Sequence, residues 1–164
     1  MAQIYISLGS NVEKERYVDL GLSALSETFG CLEVSSLYAC EAVGFDGPEF
    51  YNLVVGAKTE LSIEQLARKL KDIEYAHGRC PDAKKFSPRT LDLDLLLFDD
   101  LIAQSPTQVP RPDILNSAFV LWPLTEIAGG LIHPEVNQSY QQLWSAFDKS
   151  KQKISQLPLA WQPK

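Results

Sequence analysis

The hydrophobic positions change period several times along the chain, and the changes divide it into elements. Residues 3–8, from Gln3 to Leu8, are rich in Ile and Tyr and predict a first strand. Gly9-Ser10-Asn11 then breaks the pattern, with Ser10 or Asn11 placed to cap a helix. Val18, Leu22, Leu25 and Phe29 follow at i, i+4, i+7 and i+11, which is one helical face, and Gly30 ends it. Leu32 to Cys40 reads as a second strand and Phe50 to Ala57 as a third, joined by a loop with two glycines and a proline. Ser62 with Gln65 three residues on forms a capping box for a second helix, whose inner face carries Leu66, Leu70 and Ile73. Gly78 lies just beyond it, and Arg79 to Arg89 is a basic, Pro-bounded loop.

Thr90 to Phe98 is the most apolar segment and predicts a fourth strand. Pro-rich turns near Pro106, Pro110 and Pro112 come next, then an apolar stretch from Phe119 to Ile127. Tyr140, Leu143, Trp144 and Phe147 suggest one more helix. The order strand, helix, strand, strand, helix, strand is the split βαβ arrangement. It predicts an α+β, ferredoxin-like βαββαβ core: a mostly antiparallel sheet with helices on one face, plus C-terminal additions. The other face is then available for ligands. No internal repeat or linker divides residues 1–164, so a single domain is expected.

Composition narrows the function classes. Fifteen Lys and Arg against 21 Asp and Glu give a net charge of -6, so the chain has no general footprint for nucleic acid or anionic membrane. No apolar run approaches the roughly 18 residues of a membrane span, and the mildly apolar residues 1–8, followed at once by a charged segment, are not expected to act as a signal peptide. Cys31, Cys40 and Cys80 lack metal-ligand spacing and read as reduced thiols packed in a cytoplasmic protein. His77 and His133 are isolated and read as structural or surface residues.

The candidate chemistry lies in the fourth strand. Strand side chains alternate, so Asp92 and Asp94 share one side while Leu91, Leu93 and Leu95 face the core. Two carboxylates held together in an apolar setting call for a cation, a shared proton or basic partners. A divalent metal such as Mg²⁺ meets that need with one or two carboxylates plus water and phosphates; a half-exposed strand with two solvated acids is the bland alternative. Arg79, Lys84, Lys85 and Arg89 shortly precede the pair, and cations beside a metal site suit polyphosphate recognition. There is no GxxxxGK[ST] loop. Phe50 and Asn52 share a face of the third strand, where a flat heterocycle can stack on a ring and pair with an amide; Phe119 is placed to supply an opposing ring.

Pro88-Arg-Thr-Leu-Asp-Leu-Asp94, preceded by Gly78-Arg79, resembles the signature of the 6-hydroxymethyl-7,8-dihydropterin pyrophosphokinase family of folate biosynthesis. The resemblance extends to Ile6-Ser-Leu-Gly-Ser-Asn11, Val34-Ser-Ser-Leu-Tyr38, Tyr51-Asn52 and the segment from Phe119 to Ile127. It implies a ferredoxin-like enzyme with the small-molecule substrates ATP and a reduced pterin, which moves the β,γ-diphosphate of ATP onto the pterin hydroxymethyl oxygen and releases AMP. It further implies that Asp92 and Asp94 hold two Mg²⁺ ions, that Arg79 and Arg89 are catalytic, and that Asn52 pairs with the pterin between Phe50 and Phe119. Val43 and Gly44 match the loop that contacts the ring through backbone groups. Lys84, Lys85 and Arg111 are the ATP contacts expected of this chain.

Several positions depart from the family pattern. After Val109-Pro110 the family usually carries His where this chain has Arg111; Ser117 stands where Arg is usual; a second loop arginine is replaced near Pro81-Asp82. Lys85-Phe86 stands where an Arg with Trp is common. Two readings follow: an active, monomeric enzyme in which Arg111 and the lysines compensate, or a divergent paralogue that binds pterin or nucleotide with little transfer. A third class, an RNA-binding ferredoxin-like domain, requires strand aromatics in a basic field, which the charge and the acidic pair oppose.

Overall fold

The computed structural model describes residues 1–40, 49–77, 91–159 and 161. Strand β1 (Ala2–Ser10) leads to helix α1 (Lys14–Phe29), then to β2 (Glu33–Val34), β3 (Leu37–Cys40) and β4 (Phe50–Thr59). Helix α2 (Ile63–Ala76) and strand β5 (Asp92–Phe98) complete the core. Helices α3 (Asp113–Asn116), α4 (Ala118–Ala128) and α5 (Tyr140–Ala146) and strand β6 (Ile154–Leu157) are added after it. The sheet runs β5-β1-β4-β3-β6, with β2 also paired to β4, and every pairing is antiparallel. This is the ferredoxin-like order with β6 added at one edge.

The two faces of the sheet bury different layers. Ile4, Ile6, Leu8, Leu53, Val55, Leu93 and Leu95 pack against Val18, Leu22 and Leu25 of α1 and Leu66, Leu70 and Ile73 of α2. On the opposite face Tyr5, Val54, Leu96 and Leu97 pack against Ile114, Val120, Leu121, Leu124 and Tyr140. The core helices therefore lie on one face as expected, while the C-terminal additions cover part of the other. Only the remainder of that second face is left for ligands.

Three local expectations change. Helix α1 is not capped by Ser10 or Asn11: Ser10 ends β1, and Glu13, in the left-handed region at φ 44°, is the N-cap residue without a side-chain cap bond. The strand expected from Leu32 to Cys40 is broken at Ser35–Ser36, because Ser36 donates its N–H and hydroxyl to the Glu126 carboxylate at 3.0 and 2.7 Å. The apolar stretch from Phe119 to Ile127 is a helix. Its residues face both the second core and the sheet, so no single apolar stripe marks it. The capping box at Ser62 and Gln65 forms in both directions, at 3.2 and 2.9 Å. Gly78 and Thr90 lie outside the described residues.

Candidate active site

Strand register assembles the site. Asp92 pairs with Gly9, Gly9 with Asn52, and Asn52 with Tyr38, so these four form one row across β5, β1, β4 and β3. Paired residues project to the same side. Asp94 lies in the next row, beside Ser7 and Val54. Leu91, Leu93 and Leu95 are buried in the helix-side core, so the expected division of this strand holds. Asp92 and Asn52 thus look out from one face, two strand spacings or about 10 Å apart. Gly9 forms the floor between them: a Cβ there would come within 2.8 Å of Asn52 Oδ1.

Asn52 is buried, and its Nδ2 donates to Cys40 Sγ at 3.0 Å. Burial pushes the Cys40 thiol up to about 12, so the sulfur is neutral and acts as an acceptor toward the amide. The amide is therefore fixed across Gly9. Phe50 stands two residues before Asn52 on β4 and is half-buried. Phe119 is half-buried in the first turn of α4, packed against the second core. Pro123 cannot donate the hydrogen bond that the Phe119 carbonyl would accept in a regular helix.

Among the described residues, the carboxylate end lies at an edge of the sheet, on β5. A cleft of about 650 Å³ runs along β5, with Arg68 and Lys71 of α2 on one wall and Thr107 and Arg111 on the other. Asp92 and Asp94 open into it. Burial raises the Asp94 carboxyl above its ordinary value, opposed first by the Arg111 guanidinium and reinforced by Asp92 and Asp113. Its side chain is still 42% exposed, open toward the cleft. Arg111 Nη2 is 3.5 Å from Asp94 Oδ1, and Arg111 Nε donates to Asp113 Oδ2 at 3.2 Å. The sheet register shifts between Tyr5 and Ile6, leaving Leu96 as an extra residue, and the Leu96 carbonyl accepts the Arg111 N–H at 2.9 Å. Glu74, buried at the end of α2, accepts the Leu93 N–H at 2.8 Å and so fixes the strand between the two aspartates.

The donor set fits magnesium. Among the described residues no cluster of three or more His, Cys, Asp or Glu side chains is placed to hold a metal. Two carboxylates in a cleft walled by cations are what Mg²⁺ takes when phosphates and water complete its shell. Ser117 heads α4 and makes no side-chain cap bond. Arg79, Lys84, Lys85, Arg89, Val43 and Gly44, assigned to the site from sequence, lie outside the described residues. Sequence reasoning passed over Arg68, Lys71, Glu74 and Asp113. For Glu74 the signal was present: an acid next to Ile73 and four residues after Leu70 stands on the apolar side of its helix. His133 is buried and structural, its Nδ1 accepting the Glu135 and Val136 N–H groups at 3.1 and 3.4 Å.

Fold and site together define a ferredoxin-like α+β domain with a paired-carboxylate edge strand beside a half-covered sheet face. Residues 5–129 match the profile of 7,8-dihydro-6-hydroxymethylpterin-pyrophosphokinase, and the chain belongs to that family. It is 36% identical over 137 residues to the 2-amino-4-hydroxy-6-hydroxymethyldihydropteridine pyrophosphokinase of Aquifex aeolicus, covering 82% of this chain and 85% of that protein. The protein of the same name from Haemophilus influenzae is 37% identical over 140 residues, with 82% and 86% covered. The folic acid synthesis protein fol1 of Schizosaccharomyces pombe is 33% identical over 163 residues, covering 90% of this chain but 22% of that longer protein. Plasmodium falciparum HPPK-DHPS shares the fold, with a TM-score of 0.70 at 13% identity over 88% of this chain and 43% of that one. No helix among the described residues is long and apolar enough to cross a membrane.

Proposed function

We propose that the protein transfers the β,γ-diphosphate of ATP to the hydroxymethyl oxygen of 6-hydroxymethyl-7,8-dihydropterin, giving AMP and the pterin diphosphate for folate biosynthesis. The observation that carries this is the row Asp92–Gly9–Asn52, which sets a carboxylate and a buried, oriented amide on one open face. Membership of the family gives that juxtaposition its chemistry.

On this reading Asn52 pairs with the pterin edge over Gly9, while Phe50 and Phe119 flank the ring and Val43 and Gly44 contact it through their backbone. Asp92 and Asp94 hold two Mg²⁺ ions. Bound magnesium supplies neutralisation of phosphate charge and a lower pKa for the attacking alcohol. Arg79 and Arg89 stabilise charge on the transferring group; Lys84, Lys85 and Arg111 contact the ATP phosphates. The protein's contribution is positioning, because the row brings the alcohol toward the phosphate chain at fixed spacing. The enzyme acts on small molecules as a cytoplasmic monomer, and the free thiols of Cys31 and Cys40 suit a reducing compartment.

The binding-only reading draws on Arg111 and Ser117, since loss of a transition-state arginine costs about three to five decades in phosphoryl transfer. One assay separates the two. Protein, Mg²⁺, ATP and 6-hydroxymethyl-7,8-dihydropterin are mixed and nucleotides resolved by chromatography. Pterin-dependent AMP is expected, reduced at least about a hundredfold by Asp94→Ala. ADP in place of AMP would make the protein an ordinary kinase. No product from folded protein that still binds pterin would establish the binding-only reading.

A further inference from the structure

Arg111 is tied to the carboxylate end of the site at three points. Its N–H is held by the Leu96 carbonyl at 2.9 Å, which fixes its backbone at the edge of β5. Its guanidinium then lies between two acids, 3.5 Å from Asp94 and 3.2 Å from Asp113. Lys71, another cation bearing on Asp94, instead has its Nζ at 3.5 Å from Glu74 Oε1. A divalent ion on Asp94 would therefore meet a guanidinium already on that carboxylate, and two cations sharing one oxygen repel. The Arg111 side chain is 30% exposed and lines the same cleft as Asp92 and Asp94, so a phosphate bound there comes within its reach. Asp113 offers it a partner that is retained whether or not Asp94 is given up.

We infer that Arg111 gates metal entry: it competes with the divalent ion for Asp94 and releases that carboxylate when nucleotide phosphates take its guanidinium. The inference rests on the reading of Asp94 as a metal ligand. It deepens that reading by making metal and nucleotide binding depend on each other through one side chain. Metal alone binds weakly because it must displace the guanidinium from one of its two carboxylates and leave it with Asp113 alone. Metal with nucleotide binds tightly because the phosphates give Arg111 a stronger, bidentate partner. Linkage makes the effect reciprocal, so removing Arg111 lowers the coupling seen from either ligand.

The test is Mn²⁺ alone titrated against the full chain by electron paramagnetic resonance, followed by α,β-methylene ATP binding at saturating Mg²⁺. In Arg111→Met, Mn²⁺ alone is expected to bind about three- to fivefold tighter. The nucleotide analogue is expected to bind about tenfold more weakly. Lys71→Met removes a neighbouring cation that is not on Asp94 and is expected to change Mn²⁺ affinity less. Unchanged or weaker Mn²⁺ binding in Arg111→Met overturns the gate, as does an equal gain in Lys71→Met, which would reduce the effect to the general field. Arg111→Gln carries the same expectation should the Met variant not fold. Asp94→Asn is the control for the underlying assignment. If it binds Mn²⁺ like the wild type, the metal reading itself fails, and the gate with it; if it loses Mn²⁺ while Arg111→Met is unchanged, only the gate fails.

Discussion

Gly9 matters for what it lacks. It lies between Asp92 and Asn52 in the cross-sheet row, and an added Cβ would sit 2.8 Å from Asn52 Oδ1, closer than real contacts allow. Asn52 has little room to yield, since its Nδ2 is bonded to Cys40 and the side chain is buried. Gly9→Ala is therefore expected to rotate the amide away from the ligand. Pterin affinity, read by fluorescence titration, should fall about tenfold or more. Thermal unfolding should show an overpacking cost of about 1–3 kcal/mol. Metal-dependent nucleotide binding should hold, because Asp92 and Asp94 lie on a different strand; a parallel loss of both would mean that the whole edge had moved. Sequence alone marked Gly9 as the end of a strand and as part of a segment resembling the family, with no contact assigned to it. Its role emerges from register, which pairs positions 43 residues apart (9 and 52) and is written in no local pattern.

At the scale of elements, α2 links stability to the site. Its start is set by the reciprocal capping box of Ser62 and Gln65, and its end presents Glu74 to the Leu93 N–H. Ser62→Ala removes one acceptor from the helix start and is expected to cost about 1 kcal/mol. For a domain of this size that is a fall of about 2–4 °C in Tm by calorimetry. The KM for either substrate should stay unchanged, since the cap is at the end of α2 far from Glu74; a changed KM would show that the helix moves as a unit against β5. Such elements were legible because local and tertiary signals agree in them: β1, β4, α2 and β5 keep their periods, and α2 its box. The features that escaped have a different physics. Helix α1 was legible from its apolar face and its Gly30 stop, but its start is a left-handed Glu13 with no side-chain cap. The break between β2 and β3 is made by Glu126, which is 90 residues from Ser36. Helix α4 is apolar on several sides and holds a proline, so neither stripe nor breaker rule describes it. The aspartate pair and Asn52 were legible as types at a spacing, but that they share one row with Gly9 was not.

At the scale of the whole molecule, two cores share one sheet, and the second is closed by the turn leading into α5. That turn is built around His133, which is 1% exposed. Its Nδ1 accepts the Glu135 and Val136 N–H groups, and its backbone pairs with Gln138 and Asn137. The ring meets Tyr140 edge-on at 6.0 Å, and Tyr140 belongs to the second core. Protonation would take away the Nδ1 lone pair and place a charge beside a buried phenol. Burial accordingly lowers the His133 pKa, with Glu135 opposing only in part. The sign follows from linkage. The unfolded chain binds the proton near the ordinary value of about 6.5. The folded chain binds it only at lower pH, so the contribution is whole above about 6.5 and is lost as pH falls through the folded pKa. Urea unfolding at pH 7.5 and 5.5 should show the wild type losing stability on acidification, with His133 accounting for up to about 1.4 kcal/mol per pH unit. In His133→Asn the side-chain oxygen can accept the same two N–H groups as an Asx turn does, so the fold should survive. Whatever stability the variant starts from, its pH slope should be shallower than that of the wild type. Equal slopes would mean that His133 titrates as freely in the folded protein as in the unfolded chain, and that the second core does not depend on its neutrality.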